Sequence, residues 1–379
     1  MRASARFEGI AAGLLMAAVA LVAFKLMPAQ VAFGLSALMW LRIVATEPWR
    51  QSLPAFVWPL AGYLVWTVLS AAFSIDPAAS FVDLKQLVLF LIVPMTLRLL
   101  RGPRAMTTLD VVIATGAAAA LVAVVQSQVF GYDNLENRPM GSLSHYMTYS
   151  GVIMLILCAA VARMLFYTGG RAWPGVAIPA LVVALAVTLT RNAYIGAAAA
   201  VVCLIALRNP KWLLAVPALV LAAALVAPGS IRDRALSAVD LDDPSNRDRL
   251  QMLAMGVDMI GDHPVFGVGP EMVGVVYGDY LRPDPVHTYN PHLHNVPVQI
   301  AAERGLPALA LWLAFIALLL RDLLRLARHG EARAIAASGL GATVAMLTAG
   351  LFEYNFGDSE FLMLLLCLIT LPFAATRRP

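Results

Sequence analysis

Residues 144–167 read SHYMTYSGVIMLILCAAVARMLFY, and Arg163 is the only Asp, Glu, Lys or Arg in this stretch. A helix needs about 20 apolar residues to cross the hydrocarbon layer of a membrane. Eleven other stretches are similarly apolar, and the candidate spans are 8–25, 28–46, 53–73, 84–100, 108–130, 144–167, 173–190, 191–207, 211–228, 304–321, 334–351 and 360–376. The sequence therefore predicts an all-α, polytopic membrane protein with about 12 transmembrane helices.

The composition points the same way. Of the 379 residues, 60% are hydrophobic and 13% are charged, whereas a soluble domain is about half apolar and a quarter charged. This excludes a water-soluble globular enzyme. The net charge of +4 is too small to indicate a nucleic-acid-binding protein. The three cysteines, Cys158, Cys203 and Cys367, lie inside apolar runs and are expected to be small core residues.

The basic residues predict the orientation of the chain. Cytoplasmic loops retain lysine and arginine, and twelve spans place both termini on one side. If that side is the cytoplasm, 17 of the 27 basic residues are cytoplasmic: Arg2, Arg6, Arg42, Arg50, Arg98, Arg101, Arg104, Arg163, Arg171, Arg208, Lys211, Arg321, Arg325, Arg328, Arg333, Arg377 and Arg378. The cations that remain on the outer face need another reason to be there.

One connection, residues 229–303, is much longer than the others. It holds eleven of the 23 acidic residues and four of the six histidines. Ser245 and Asp248 have the spacing of a capping box, and apolar residues then recur at helical intervals, at Leu250, Leu253, Ala254, Val257 and Ile260. We expect an amphipathic helix over 246–260, on the outer membrane face or on the bundle. The chain thus divides into spans 1 to 9 (1–228), an outer loop (229–303) and spans 10 to 12 (304–379).

Two arginines on the predicted outer face are candidates for a site. Arg191 opens the eighth span, where an unpaired arginine is costly. It is either an end-of-helix arginine that reaches the surface or part of a site with polar neighbours such as Tyr194. Arg249 is either a solvated charge beside Asp248 or a partner of Arg191. Because a guanidinium group can hold phosphate oxygens through two parallel hydrogen bonds, the pair could clamp a diphosphate.

Histidines are concentrated just before the tenth span, in the string HTYNPHLHN at residues 287–295. A zinc site would need His292, His294 and a distant acid, and no HExxH motif or paired acids accompany them. A neutral imidazole, with an ordinary pKa of about 6.5, is instead suited to act as a general base on a hydroxyl. A packed or surface structural role is the alternative for each histidine.

Two further outer connections are polar. Arg138 and His145, between spans 5 and 6, could line an outward cavity, although a turn capped by Ser144 is the simpler explanation of His145. The turn EYNFGD at residues 353–358 either orients an imidazole or an arginine, or is simply hydrated.

Together these strings resemble the superfamily of O-antigen ligases and O-antigen polymerases, which are bacterial inner-membrane glycosyltransferases. Four segments carry the resemblance: RPMG at 138–141, TRNAYIG at 190–196, the stretch from Arg249 to the HPVFGVG turn at 263–269, and His294-Asn295 followed after nine residues by Gly305. The chain departs from the ligase signature at Ala308, where that signature has Gly, Thr or Tyr, and at Leu253, where an aromatic residue is common. The plan of twelve spans with one large outer loop agrees with the family.

The resemblance implies transfer of a glycan from undecaprenyl diphosphate to a sugar hydroxyl of the lipid A core on the periplasmic face. The family is metal-independent, so we expect no metal and no cofactor. The resemblance also implies an inverting reaction. Arg191 and Arg249 would bind the diphosphate, and His294 would deprotonate the acceptor. Further residues expected at the substrate site are Arg138, His145, His292, Asn295, Tyr194, Gly267 and Gly269.

Two alternatives remain open. A polymerase of the same superfamily, which extends the lipid-linked glycan, would have the same fold and arginines. A multi-span transporter or lipid flippase belongs to another class, but transporters usually show internal repeats and ionisable groups near the membrane midplane. Here no repeat is visible, and Lys25, Glu47, Asp83, Lys85 and Arg191 lie near the ends of spans.

Overall fold

A computed structural model describes residues 2–47, 52–170, 172–240 and 242–377, and the regular structure in these residues is entirely helical. Its α-helices are α1 Arg2–Leu21, α2 Leu26–Thr46, α3 Val57–Ala72, α4 Pro77–Asp83, α5 Ile92–Leu99, α6 Pro103–Phe130, α7 Tyr146–Phe166, α8 Ala172–Val187, α9 Arg191–Arg208, α10 Val216–Val226, α11 Gly229–Leu236, α12 Pro244–Asp262, α13 Val273–Val276, α14 Val296–His329, α15 Arg333–Ala349 and α16 Ser359–Ala375. The predicted all-α fold is confirmed.

Six helical segments of the described chain are long and apolar enough to cross a membrane: α2, Pro77–Leu99, α6, α7, α9 and α14. Shorter apolar helices of 10–17 residues add to them, including α3, α15 and α16. The fourth predicted span differs from a plain helix because a 3-10 stretch, Leu84–Leu91, joins α4 to α5. The protein is therefore helical and membrane-spanning, while the number of twelve spans and the orientation remain predictions. Of the basic residues used to orient the chain, Arg50, Arg171 and Arg378 lie outside the described residues.

The centre of the bundle is formed by α7, α15 and α16, whose side chains are buried on nearly every face. α15 packs against α7, α9, α14 and α16. Small residues allow these helices to approach closely. A Cβ atom on Gly196 of α9 would lie 2.9 Å from the Ala345 carbonyl oxygen of α15, so a larger residue there would push the two helices apart.

The outer loop folds into α11, α12 and α13, and α12 differs from the prediction in two respects. It begins at Pro244, and its cap is Asp243, whose carboxylate accepts the backbone N–H groups of Ser245 and Asn246. The predicted capping box at Ser245 was therefore wrong. The buried face of α12 is formed by Met252, Met255 and Met259, which pack in a small core with residues of α13 and the α14 N-terminus.

The predicted apolar stripe of α12 lies on a different face. Leu250, Leu253 and Val257 are exposed. Leucine and methionine are both apolar, so α12 carries two apolar faces, one of leucines and one of methionines. The helical periodicity alone does not indicate which of these faces is buried. The helix thus rests on its methionines and presents its leucines outward.

A kink in α14 positions the end of the outer loop. Gly305 has φ +79° and ψ 169° inside the helix, a backbone conformation that favours glycine. The turn 263–269 packs into this kink: the Gly269 N–H donates to the Glu303 carbonyl at 2.9 Å, and the Leu306 N–H donates to the Pro264 carbonyl at 2.8 Å. A Cβ atom on Gly267 would overlap the Glu303 backbone. The glycines therefore allow close backbone approach, as expected, and the partner is α14.

Candidate active site

His294 and Glu353 form a hydrogen-bonded pair at the N-terminal end of α14. The His294 Nδ1 atom lies 3.0 Å and 2.9 Å from the two Glu353 carboxylate oxygens, and both side chains are nearly buried. Because an ionised carboxylate only accepts hydrogen bonds, Nδ1 is the protonated nitrogen. Nε2 makes no hydrogen bond to any described residue. A neutral imidazole held this way has the Nε2 lone pair available as a base.

The backbone around His294 is equally well defined. His294 has φ +49°, an uncommon conformation for a residue other than glycine. The next residue, Asn295, caps α14 by accepting the Val298 N–H at 3.0 Å, and it donates to the Leu351 carbonyl at 3.1 Å. Because both Asn295 amide atoms are engaged in these bonds, Asn295 ties the base to the segment that carries Glu353.

The charge of Glu353 follows from its surroundings. Burial alone would raise the pKa of its carboxyl group, but the His294 imidazole, with smaller contributions from His292 and Arg249, lowers that pKa to about 2. Glu353 is therefore a carboxylate at neutral pH. This fixed negative charge also stabilises an imidazolium ion at His294, which is the product of proton removal from a hydroxyl.

A cavity of about 570 Å³ opens beside this pair. His145, His292, His294 and Glu353 all line it. The rings of His292 and His294 lie 5.2 Å apart between centroids, and burial lowers the pKa of His292, so His292 is neutral at pH 7. We call this space the base cavity.

His145 has two roles at this cavity. Its Nδ1 accepts the Met147 N–H at 3.3 Å and so caps α7. The expectation of a Ser144 cap was therefore wrong, because the imidazole itself replaces the hydroxyl. The other edge of the ring remains available, since His145 also lines the base cavity.

A second cavity of about 270 Å³ is lined by four arginines, Arg138, Arg191, Arg234 and Arg249. Tyr146 lines it too, and its ring lies 4.2 Å from the Arg138 guanidinium carbon. We call this space the arginine cavity. Tyr146 and Met147 line both this cavity and the base cavity, so the two adjoin.

Arg191 is buried and held from three directions. It donates to the Ser237 carbonyl at 2.7 Å and to the Ser237 hydroxyl at 3.0 Å, and its other terminal nitrogen donates to Asp243 at 3.0 Å. Burial would raise the pKa of Asp243, but the bond and the charge of Arg191 outweigh it and lower that pKa. Arg191 is thus a buried, internally paired arginine rather than one extended to the surface, and its place in a substrate site stays a prediction.

The other cations of the arginine cavity crowd one another. Arg249 donates to the Phe352 carbonyl at 2.9 Å and to the Ser245 hydroxyl at 2.6 Å. Burial, together with the neighbouring charges of Arg191 and Arg138, lowers the pKa of Arg234 to about 10. Since Asp243 is the only acidic residue that lines this cavity, the described groups leave a surplus of positive charge. Such a cavity attracts a multiply charged anion.

Some predicted site residues are not brought to either cavity. Tyr194 donates its hydroxyl to the Ala186 carbonyl, and Gly267 and Gly269 pack against α14 and Ser74. Their expected contact with substrate therefore gains no support from the geometry. Asn295 acts mainly as the α14 cap.

The structure also adds residues that the sequence did not single out. Arg234 and Asp243 line the arginine cavity. Of the partners considered for the turn at 353–358, Glu353 contacts an imidazole, that of His294. Glu271 lines the base cavity with φ +62°, and burial, reinforced by Glu303, raises its pKa to about 7. Glu271 is thus a second acid or base within the cavity.

One group of side chains could hold a metal ion. Ligand atoms of His292, His294 and Glu353 all lie within 4.8 Å of one another. This set matches nitrogen and oxygen ligands that transition metals accept. A metal ion on His294 would occupy the imidazole lone pair that a general base needs, so metal binding and general-base action at His294 are mutually exclusive.

Comparison with known proteins was informative for the middle of the chain. Residues 175–313 match a family model described as O-antigen ligase. This segment contains Arg191, Arg234, Arg249 and His294, whereas Arg138 and Glu353 lie outside it. No curated protein matches the chain. Residues 175–313 are thus similar to the O-antigen ligase family, in agreement with the superfamily that the motifs resemble.

Proposed function

We propose that the protein is an O-antigen ligase-like glycosyltransferase. It moves a glycan from undecaprenyl diphosphate to a sugar hydroxyl of the lipid A core, at the periplasmic face of the bacterial inner membrane, with both termini in the cytoplasm. The observation that carries the proposal is the contact between the two cavities: one holds an oriented imidazole, and the other holds four arginines.

The chemistry of the two cavities supports this reaction. A lipid diphosphate is already a good leaving group, so transfer requires stabilisation of the departing charge and one base. Arg191 and Arg249 hold the diphosphate, with Arg138 and Arg234 adding charge. His294 Nε2 removes the proton of the acceptor hydroxyl, and Glu353 keeps the ring in the required tautomer. Because the acceptor attacks opposite the leaving diphosphate, the anomeric centre inverts.

A polymerase that extends the lipid-linked glycan is the second candidate. Ala308 departs from the ligase signature, and this departure weakens the case for a ligase over a polymerase. Deletion of the gene separates the two candidates on a lipopolysaccharide gel. A ligase deletion removes capped lipopolysaccharide and accumulates lipid-linked polymer, whereas a polymerase deletion leaves caps of a single repeat.

Complementation makes that experiment specific to the site. The wild-type chain restores the missing product, and His294→Ala, expressed to the same level, does not. A normal lipopolysaccharide pattern in the deletion strain would contradict both candidates. A transporter or flippase is the remaining class. A purified protein of that class would not join donor and acceptor in detergent.

A further inference from the structure

A third cavity lies on the outward face of α12. It has a volume of about 190 Å³ and is lined by six apolar residues, Ala238, Leu250, Leu253, Leu293, Leu351 and Phe352. The rest of its lining is polar and consists of Asn246, Arg249, His294 and Asn295. Arg249 belongs to the arginine cavity and His294 to the base cavity, so this apolar groove adjoins both. We call it the α12 groove.

Three of the four leucines that line the groove have little cover in the described protein, whereas Leu293 is buried. Leu250 is 53% exposed and Leu351 is 51% exposed. Exposing apolar surface is unfavourable, and a contiguous apolar patch at the edge of a polar site marks a binding surface. The methionine face already anchors α12 to the loop core, so the helix does not need its leucines for attachment.

The chemistry of the three spaces matches the three parts of one molecule. A prenyl diphosphate glycan consists of an apolar chain, a doubly phosphorylated linker and a sugar. The arginine cavity is cationic, the base cavity is lined by hydrogen-bonding groups, and the α12 groove is apolar. At about 30 Å³ for each water-sized group, the groove holds about one isoprene unit.

We propose that the α12 groove binds the isoprene unit next to the diphosphate of the donor. Arg249 marks the junction, because it lines the groove and the arginine cavity at once. The rest of the prenyl chain continues into the membrane, and the sugar lies toward His294. This assignment rests on the proposed function for the identity of the donor, and it adds a recognition site for the lipid outside the spanning helices.

Binding of short prenyl diphosphates to the purified full-length protein tests the groove. Geranyl diphosphate and ethyl diphosphate share the anion and differ in the isoprenes. We expect Leu253→Asn to raise the Kd of geranyl diphosphate about tenfold, through lost apolar contact, and to leave ethyl diphosphate binding unchanged. Leu250→Ser is the second variant, with the same expected pattern.

The matched control is Val257→Asn, which changes an exposed apolar residue one turn farther along α12 and outside the groove. It should bind both ligands as the wild type does. Equal loss of geranyl diphosphate binding in Val257→Asn and Leu253→Asn, or no loss in either Leu253→Asn or Leu250→Ser, would overturn the proposal.

Photolabelling locates the chain directly. A geranyl diphosphate that carries a diazirine on its first isoprene should label residues 250–253 or 351–352, and excess inorganic diphosphate should suppress this labelling. Labels confined to spanning helices such as α6 would overturn the proposal. Equal labelling of the groove by a diazirine phosphatidylglycerol would also overturn it, since the groove would then bind lipids in general.

The proposed function and the assignment of the α12 groove can be contradicted separately. If the groove is labelled but the deletion strain has normal lipopolysaccharide, the proposed function is wrong and the prenyl diphosphate site stands. If the deletion strain loses its caps and the label lies elsewhere, the function stands and the groove assignment is wrong.

Discussion

The Nδ1 atom of His294 lies 2.9 Å from a carboxylate oxygen of Glu353, although α14, α15 and the connecting turns separate the two residues in the chain. In the proposed reaction, this pair divides the work of general-base catalysis. Glu353 holds the proton on Nδ1 and remains charged, while Nε2 is left to accept the proton of the acceptor hydroxyl.

His294→Ala should abolish glycan transfer, because it removes the imidazole that Glu353 holds through Nδ1. A positioned general base contributes about a hundredfold to ten-thousandfold in rate, so turnover should fall by at least that range. The measurement is transfer by purified protein at equal detergent-solubilised amounts. His287→Ala is the control, since His287 pairs with Asp248 and is exposed. Near-normal transfer by His294→Ala would remove His294 as the base.

Glu353→Gln keeps the shape of the side chain and removes its charge. The amide no longer selects one tautomer or stabilises the imidazolium ion, so we expect kcat to fall about a hundredfold or more with little change in donor KM. A change in KM alone, with kcat preserved, would argue against an orienting role.

The stability of the protein should depend on Glu353 in acid. The pKa of Glu353 is about 2 in the folded protein against an ordinary value of 4.5, so the folded state binds fewer protons. Its contribution is fully present above pH 4.5 and is lost as the pH falls through the folded pKa. The unfolding temperature of the wild type should therefore fall as the pH is lowered through this window. The unfolding temperature of Glu353→Gln should depend less on pH. Parallel curves would contradict this.

Arg191→Lys and Arg249→Lys keep the positive charge and lose the planar fork. Since removal of one donor to a developing charge costs about a hundredfold to a thousandfold in kcat, we expect a clear loss of transfer from each. Arg282→Lys is the matched control, because Arg282 pairs with Asp258 outside the arginine cavity. Unchanged turnover in both test variants would mean that neither arginine binds the diphosphate.

Transfer should persist in the presence of a chelator. The reaction as proposed needs a free Nε2 on His294 and no Lewis acid. Activity that is lost on chelation and restored by a divalent metal would instead indicate a metal site. If His292→Ala then failed to bind that metal, His292, His294 and Glu353 would be assigned as its ligands. Excess zinc is expected to inhibit, because it competes for the same nitrogen.

Gly267→Ala tests whether the turn before α13 binds substrate or supports α14. The added Cβ atom would overlap the Glu303 backbone, and the positive φ alone costs about 1–3 kcal/mol. We expect a lower unfolding temperature. Gly261→Ala, where a Cβ atom would meet nothing within 4 Å, should stay within about 1 kcal/mol of the wild type. Equal stability of the two variants, with impaired donor binding in Gly267→Ala, would favour substrate contact.

Local patterns predicted much of this architecture. Apolar runs marked the helices, and the helix expected over 246–260 is observed as Pro244–Asp262. The motif residues His294, Arg191 and Arg249 were recognisable because their neighbours in sequence are distinctive. The exposed face of α12 was not predictable, since two apolar stripes share that helix and only the position of the loop core selects between them.

Partners distant in sequence were harder to find. Arg234 lies in the string IRDRAL at residues 231–236, which reads as an ordinary polar helix, and its place beside Arg191 depends on how α11 folds back over α9. Asp243 gave no signal beyond a loop acid. Glu353 was visible as an acidic turn, but the imidazole it contacts is fixed by the packing of α15 against α14.

The separation of His294 from Glu353 has a consequence for biosynthesis. Translation delivers the arginines and the histidine well before the carboxylate, and the whole of α15 is made in between. A nascent chain that carries the whole family-matched segment therefore still lacks the orienting partner of its base. The base of the proposed reaction can therefore be oriented only late in synthesis, once the end of α15 lies beside α14.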